Sequence, residues 1–128
     1  MKKRISWQTI INRIKDLPPG KYYGIPRGGQ YIAAATGSPV DDPDQADYII
    51  DDLYDSGATF RKWKRKYPNK EFLFLFDKRK EFFNTWLIFP WEETDKDIDD
   101  HIIRMLQFNN KDVNEENIKL LKLLIKSI

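Results

Sequence analysis

Between Tyr48 and Thr59 the chain reads Tyr48-Ile49-Ile50-Asp51-Asp52-Leu53-Tyr54-Asp55-Ser56-Gly57-Ala58-Thr59, an apolar run that ends in paired acids and then in a small-residue loop. Tyr48 to Ile50 are β-formers that suit a buried strand, while Ser56, Gly57 and Thr59 suit a tight turn with a helix just beyond it. Backbone N–H groups in such a turn converge on an anion, so the loop reads as a phosphate site. Two carboxylates one step earlier would repel that phosphate unless they face a sugar's hydroxyls, a bridging Mg²⁺ or a developing cationic centre. The segment thus favours a strand feeding a helix, and it reads as a phosphate-sugar site.

The rest of the chain extends that pattern. Trp7, Ile10, Ile11, Ile14 and Leu17 recur at helical spacing, with Ser6 as N-cap and Pro18-Pro19-Gly20 as the stop. Tyr22 to Ile25 read as a short strand, Pro26 to Gly29 as a loop, and Gln30 to Ala35 as a small helix. A strand over 47–52, a helix reaching about Lys66, and strands at Glu71 to Phe76 and Thr85 to Phe89 follow. This alternation argues for an α/β fold with a mostly parallel twisted sheet flanked by helices. Ligands in such sheets bind outside the carboxyl ends of the strands. Arg27, Asp51 to Thr59 and Lys78 each follow an expected strand, so they are expected to meet on one edge.

After Glu93 the character turns helical over Asp95 to Phe108 and Asn114 to Lys126, which divides the chain into a compact domain at 1–93 and a C-terminal appendage at 94–128. Ile98, Ile102, Met105 and Leu106 form one apolar stripe; Ile118, Leu121, Leu124, Ile125 and Ile128 form another. The second stripe predicts a homo-oligomer, most simply a dimer, with folding back onto the domain's own helices as the alternative. A chain of 128 residues holds one core. Its formal net charge of +2 comes from nearly balanced acids and bases, which speaks against a dedicated nucleic-acid binder. The basic run Arg61, Lys62, Lys64, Arg65 and Lys66 accordingly reads as a solvated helix face, and His101 as an ordinary helix residue. With no cysteine there is no disulfide framework and no thiolate metal site, which suits a reducing cytoplasm. No apolar run reaches membrane-spanning length and the first residues lack a signal-peptide core, so no membrane partner is expected.

Three motifs, in order, resemble the type I phosphoribosyltransferases, most closely the short phage-type xanthine-guanine (purine) enzymes. They are Tyr22-Tyr23-Gly24-Ile25-Pro26-Arg27-Gly28-Gly29, the Asp51 to Thr59 segment, and Phe74-Leu75-Phe76-Asp77-Lys78 followed by Thr85-Trp86-Leu87-Ile88-Phe89-Pro90-Trp91-Glu92. The resemblance implies that Asp51 and Asp52 sit by the ribose hydroxyls of phosphoribosyl pyrophosphate, directly or through Mg²⁺. It implies that Asp55 is a general base or proton relay at the purine, and that Asp55, Ser56, Gly57, Ala58 and Thr59 cradle the 5′-phosphate. Arg27, Gly28 and Gly29 would bind pyrophosphate. Lys78 would read the exocyclic oxygen of a 6-oxopurine, with Trp86 stacked on the ring and Leu87 backbone groups at the base edge. The implied cofactor is Mg²⁺, and the implied partners are phosphoribosyl pyrophosphate and a purine base or nucleotide. Each residue also has an ordinary reading: the acids as a strand-end cap, the loop as a capped turn, Lys78 as part of a charged cluster with Arg79 and Lys80, Trp86 as core.

Only Thr36 to Ala46 joins the first site loop's helix to the acidic strand, so the long hairpin that closes over the reacting centre in typical purine members is missing. Two functions therefore stand side by side. One is a compact transferase. The other is a non-catalytic nucleotide-binding protein, regulatory or sequestering, that retains the phosphate and ribose sites without the lid. The stretch Asp100 to Phe108 also loosely resembles the opening helix of GTP cyclohydrolases. The chain lacks the cysteine their zinc sites use, which points to a remnant appendage or dimerisation element.

Overall fold

The computed structural model describes residues 1–93 and 98–124. The elements are β1 (Lys2–Arg4), α1 (Trp7–Ile14), β2 (Tyr22–Gly24), α2 (Gly28–Ala35), β3 (Tyr48–Tyr54), α3 (Ala58–Lys66), β4 (Glu71–Asp77), β5 (Trp86–Ile88), α4 (Pro90–Glu93), α5 (Ile98–Phe108) and α6 (Glu115–Leu124). The fold is mixed α/β with every strand pairing parallel. The strands do not form a single sheet: β2, β3 and β4 lie side by side in that order, and β5 pairs with β1 in a second, two-stranded sheet. The Trp86 N–H bonds to the Met1 carbonyl at 2.8 Å, and Lys2 stands opposite Trp86, so the chain's opening residues take the partner place beside β5.

Local chemistry explains most boundaries. The Ser6 hydroxyl accepts from the Thr9 N–H at 3.1 Å and starts α1, whose buried face is Trp7, Ile10 and Ile14. β3 is the central strand, and Ile49 and Ile50 are fully buried, as a strand covered on both faces requires. α2 is apolar almost all round, with Tyr31, Ile32, Ala33, Ala34 and Ala35 buried. A helix of that kind must be enclosed. It packs on β2 and β3 and also meets α5. Asn109, just past the end of α5, donates at 3.0 Å to the Ala35 carbonyl at the end of α2, closing one of the acceptors that a helix end leaves open.

The two sheets are joined by aromatic packing. Trp91 stacks on Tyr31 at 4.7 Å and on Phe89 at 5.0 Å, with near-parallel planes, and Phe89 meets Phe76 of β4 edge-on at 5.6 Å. Such pairs add about 0.5–1.5 kcal/mol each beyond the area they bury. Ile102, Met105 and Leu106 of α5 belong to the same core, and Ile118 and Leu121 of α6 pack against it. The described part of the second apolar stripe therefore faces the chain's own core. Ile125 and Ile128 lie outside the described residues, as do the side chains of Ile98, His101 and Leu124 and the segment 94–97 after Glu93. Among the described residues, no helix is long and apolar enough to cross a membrane.

The connection from α2 to β3 is held down rather than free. Tyr22 exchanges backbone hydrogen bonds with Ser38 and Val40, and Lys70 Nζ donates to the Asp44 carbonyl at 3.0 Å and the Ala46 carbonyl at 2.7 Å. Tyr22 itself is 2 % exposed, donates its hydroxyl to the Pro18 carbonyl and stacks on Tyr48. Burial, with Tyr48 and Asp47 nearby, pushes its phenol from 10.0 to about 12. The folded state holds a proton there that the unfolded state has released. The resulting stability is complete below pH 10 and lost as pH rises through 12. Tyr22→Phe is expected to be less stable than wild type by about 1 kcal/mol at pH 8, from the lost hydrogen bond. In urea unfolding at stepped pH that gap should shrink between pH 10 and 12; a constant gap would show that Tyr22 is not held neutral.

Candidate functional site

Because β2, β3 and β4 are parallel neighbours, the segments leaving their carboxyl ends emerge on one edge. Arg27 opens α2 after β2, with Gly28 and Gly29 as its first two helical residues, and the Pro26–Arg27 peptide is cis. The glycines are there for approach. A Cβ on Gly28 would lie 1.9 Å from Asp52 Oδ2, and one on Gly29 would lie 2.5 Å from the Ile50 carbonyl oxygen. The turn is thus packed directly on the paired acids within β3.

Asp51 is 8 % exposed, and its Oδ1 accepts from the Asp52 N–H at 2.9 Å. Burial pushes its carboxyl from 3.8 up to about 9, with the charge of Asp52 and a hydrogen bond to that residue adding to the shift. Burial also raises Asp52, against the lowering effect of its hydrogen bonds to Asp51 and Leu53, and the carboxylate of Glu92 raises it further. The two acids hold a proton between them at neutral pH. Among the described residues there is no cluster of three or more metal-ligating side chains. Asp51 and Asp52 do offer hard oxygen donors, which suit a cation that completes its shell with water and phosphate oxygens.

The Asp55 to Thr59 loop turns β3 into α3. Gly57 precedes the helix at φ +88°, a conformation that side-chain-bearing residues rarely adopt. The Ser56 hydroxyl accepts from the Ala58 N–H at 3.3 Å, and among the described residues Arg61 has the first N–H of α3 to close on a carbonyl, that of Gly57 at 2.9 Å. The N–H groups before it form the open first turn of a helix. Residues 53–60 and Phe74 line a cavity of about 60 Å³, room for a group the size of a few water molecules. Lys78, next after β4, donates its backbone N–H to the Tyr54 carbonyl at 3.0 Å and brings its ammonium to 3.4 Å from Asp55 Oδ1.

The structure therefore gathers Arg27, Gly28 and Gly29 with Asp51 and Asp52, and gathers Asp55 to Thr59 with Lys78, at adjacent strand ends. Trp86 and Leu87 stand in the other sheet; Leu87 is buried, and Trp86 is 62 % exposed, so it is not core, whereas Trp91 is. Three further residues belong to this edge. Glu92 faces Asp52 electrostatically, the Tyr54 hydroxyl occupies the space beside Gly57, and Arg61 Nη1 lies over the same glycine and 3.4 Å from the Ser56 carbonyl. Only Arg61 carried a usable signal in the sequence, since positions 57 and 61 lie one helical turn apart. No protein-family model matches the chain, and no curated protein matches it either.

A raised carboxyl works against folding at neutral pH: its contribution is complete below pH 3.8 and is lost as pH climbs through about 9. In metal-free buffer, Asp51→Asn should remove that slope. It should raise the thermal midpoint at pH 8 by about 3–6 °C, equivalent to about 1 kcal/mol in a chain of this size. A variant melting below wild type at pH 8 would contradict a protonated Asp51.

Proposed function

We propose that this chain is a compact type I purine phosphoribosyltransferase, which binds phosphoribosyl pyrophosphate with Mg²⁺ and transfers its phosphoribosyl group to a 6-oxopurine. The observation that carries the reading is the packing of the Arg27-Gly28-Gly29 turn on the Asp51–Asp52 pair, one strand away from the Asp55 to Thr59 loop. That adjacency supports a pyrophosphate site, a ribose site and a 5′-phosphate site side by side on one edge of the sheet.

In this reading a ring nitrogen of the base bonds to the anomeric carbon while the bond from that carbon to the pyrophosphate oxygen breaks. The electron pair leaves with pyrophosphate, and the base's proton passes to the Asp55 carboxylate. Arg27, with backbone N–H groups at Gly28 and Gly29, takes the charge of the departing pyrophosphate. Asp51 and Asp52 would hold the ribose hydroxyls and the cation. When bound, Mg²⁺ neutralises the pyrophosphate. Lys78 donates to the exocyclic oxygen of the base, the exposed indole of Trp86 offers a stacking surface, and Leu87 backbone groups meet the base edge.

The second reading, a nucleotide-binding protein without transfer, draws on the connection between α2 and β3. Its bonds to Tyr22 and Lys70 tie it to the sheet, and a tied connection does not close over a reacting centre to exclude water. Isothermal titration with phosphoribosyl pyrophosphate, GMP and Mg²⁺ tests what the readings share, and binding of none of them would sink both. Nucleobase consumption and pyrophosphate release with guanine, xanthine or hypoxanthine then separate them: turnover that requires Asp55 selects the transferase, and tight binding without turnover selects the other.

Asp51→Asn/Asp52→Asn should weaken Mg²⁺-dependent phosphoribosyl pyrophosphate binding by about tenfold or more while the protein stays folded, because contacts to charged groups are worth about 1.5–3 kcal/mol. Unchanged affinity in the folded double variant would remove these acids from the ribose site. Thr59→Val deletes one donor to a dianion, and GMP affinity should fall by a similar about 1.5–3 kcal/mol; equal affinity would remove Thr59 from the phosphate site.

A further inference from the structure

Five of the nine residues of α3 are cations, Arg61, Lys62, Lys64, Arg65 and Lys66, and none is an acid. Without those five the chain has 17 basic and 20 acidic residues, a balance of −3, so the net positive charge of the protein is concentrated on this one helix. Arg61, Lys62, Arg65 and Lys66 are exposed, and among the described residues none of the five is held in an ion pair. A solvated face is the ordinary account of such a run, and cations in a helix's last turn also complement its dipole. Neither accounts for Arg61 and Lys62. Arg61 lies in the first half of α3 and Lys62 at its midpoint, both outside the last turn where cations complement the dipole. They also make like-charge pairs four residues apart, Arg61 with Arg65 and Lys62 with Lys66, which work against the helix.

The position of the helix supplies a reason. α3 starts at the Ser56–Gly57 turn, where Arg61 already reaches the Ser56 carbonyl. The same edge of the sheet carries the Asp51–Asp52 pair, which keeps one proton between its two carboxyls, together with Asp55 and Glu92, so negative charge remains there to repel an approaching polyanion. At about 1.5 Å rise per residue the whole helix is about 13 Å long, so all its cations lie within a Debye length of the turn at low salt.

We propose that the cationic face of α3 captures polyanionic phosphate esters and steers them past the site's own carboxylates onto the Ser56–Thr59 turn. This rests on the phosphate-ester reading above and deepens it. The face sets the rate of association, and the turn and Arg61 set retention. The class of ligand is a small ester carrying several negative charges, such as phosphoribosyl pyrophosphate, before a neutral nucleoside. Fields of this kind raise association rates about 10- to 1,000-fold and fade as salt screens them.

The test is stopped-flow association of GMP and of Mg²⁺–phosphoribosyl pyrophosphate with the full chain, from 0.02 to 0.5 M salt, comparing wild type with Lys62→Gln/Arg65→Gln/Lys66→Gln. These substitutions remove repulsion on an exposed face and leave Arg61 and the turn intact; circular dichroism confirms that the variant is folded. Wild-type association is expected to slow about tenfold over that salt range. The variant should associate about tenfold more slowly at low salt and equally at high salt, with dissociation unchanged and guanosine association the same in both. A variant as fast as wild type at low salt, or one changed only in dissociation, overturns the steering and leaves the phosphate-ester reading in place. A wild type that binds neither ligand overturns that reading along with it. Single-stranded RNA binding abolished by the same substitutions, with ester association unaltered, assigns the face to a different partner and overturns the proposal.

Discussion

The paired acids within β3 can be enclosed only because the residues packed on them have no side chains. Gly28 and Gly29 bring the start of α2 to within van der Waals contact of Asp52 and of the β3 backbone, and any Cβ there would overlap a carboxylate or a carbonyl. The contact fixes where α2 enters, and through its small apolar residues α2 fixes how closely the sheet, Trp91 and α5 assemble around it. The same contact shields Asp51 from water, which is why its carboxyl keeps a proton. Packing and electrostatics at this site are one arrangement seen in two ways.

How much of this the sequence discloses depends on the range of the interactions involved. β3, the Gly57 turn and α3 were legible because strand, left-handed glycine and helix are local and each has a residue preference. β3 runs two residues beyond the expected Asp52 because Leu53 and Tyr54 continue pairing with Phe76 and Asp77 on β4, whose own length the β3 pattern does not reveal. β1 was not expected at all. Lys2, Lys3 and Arg4 are exposed and charged, with no apolar alternation, and they form a strand only because β5, more than 80 residues later, lies beside them. The division into two sheets follows from that one distant pairing.

The site shows the same division. Residue types and order pointed to Arg27, the acids, the loop and Lys78, and the parallel order of β2, β3 and β4 brings them to one edge. Burial was not legible, and it decides the chemistry: paired aspartates on a solvated turn would be ionised, whereas Asp51 is enclosed. Glu92 could not be tied to Asp52 from the chain alone, since that relation depends on the Tyr31–Trp91–Phe89 stack holding α4 against the body of the fold. The stripe on α6 is a further case. Periodicity put Ile118 and Leu121 on an apolar stripe that predicted a dimer, and only the tertiary structure shows that both, partly buried, also pack against the chain's own core.

These features set two regions of the protein against each other energetically. Away from the strand ends, contacts are satisfied internally: stacked rings, a capped α2, a connection bonded to Tyr22 and Lys70. At the strand ends the opposite holds, with a proton-sharing acid pair, a helix start whose first N–H groups lack intrahelical carbonyls, and like charges one turn apart on α3. Each of these costs stability, and a group of opposite charge would relieve it. In the proposed reading a divalent cation would relieve the acids and an anionic phosphate the helix start and its cations, so binding of either would stabilise the fold by mass action.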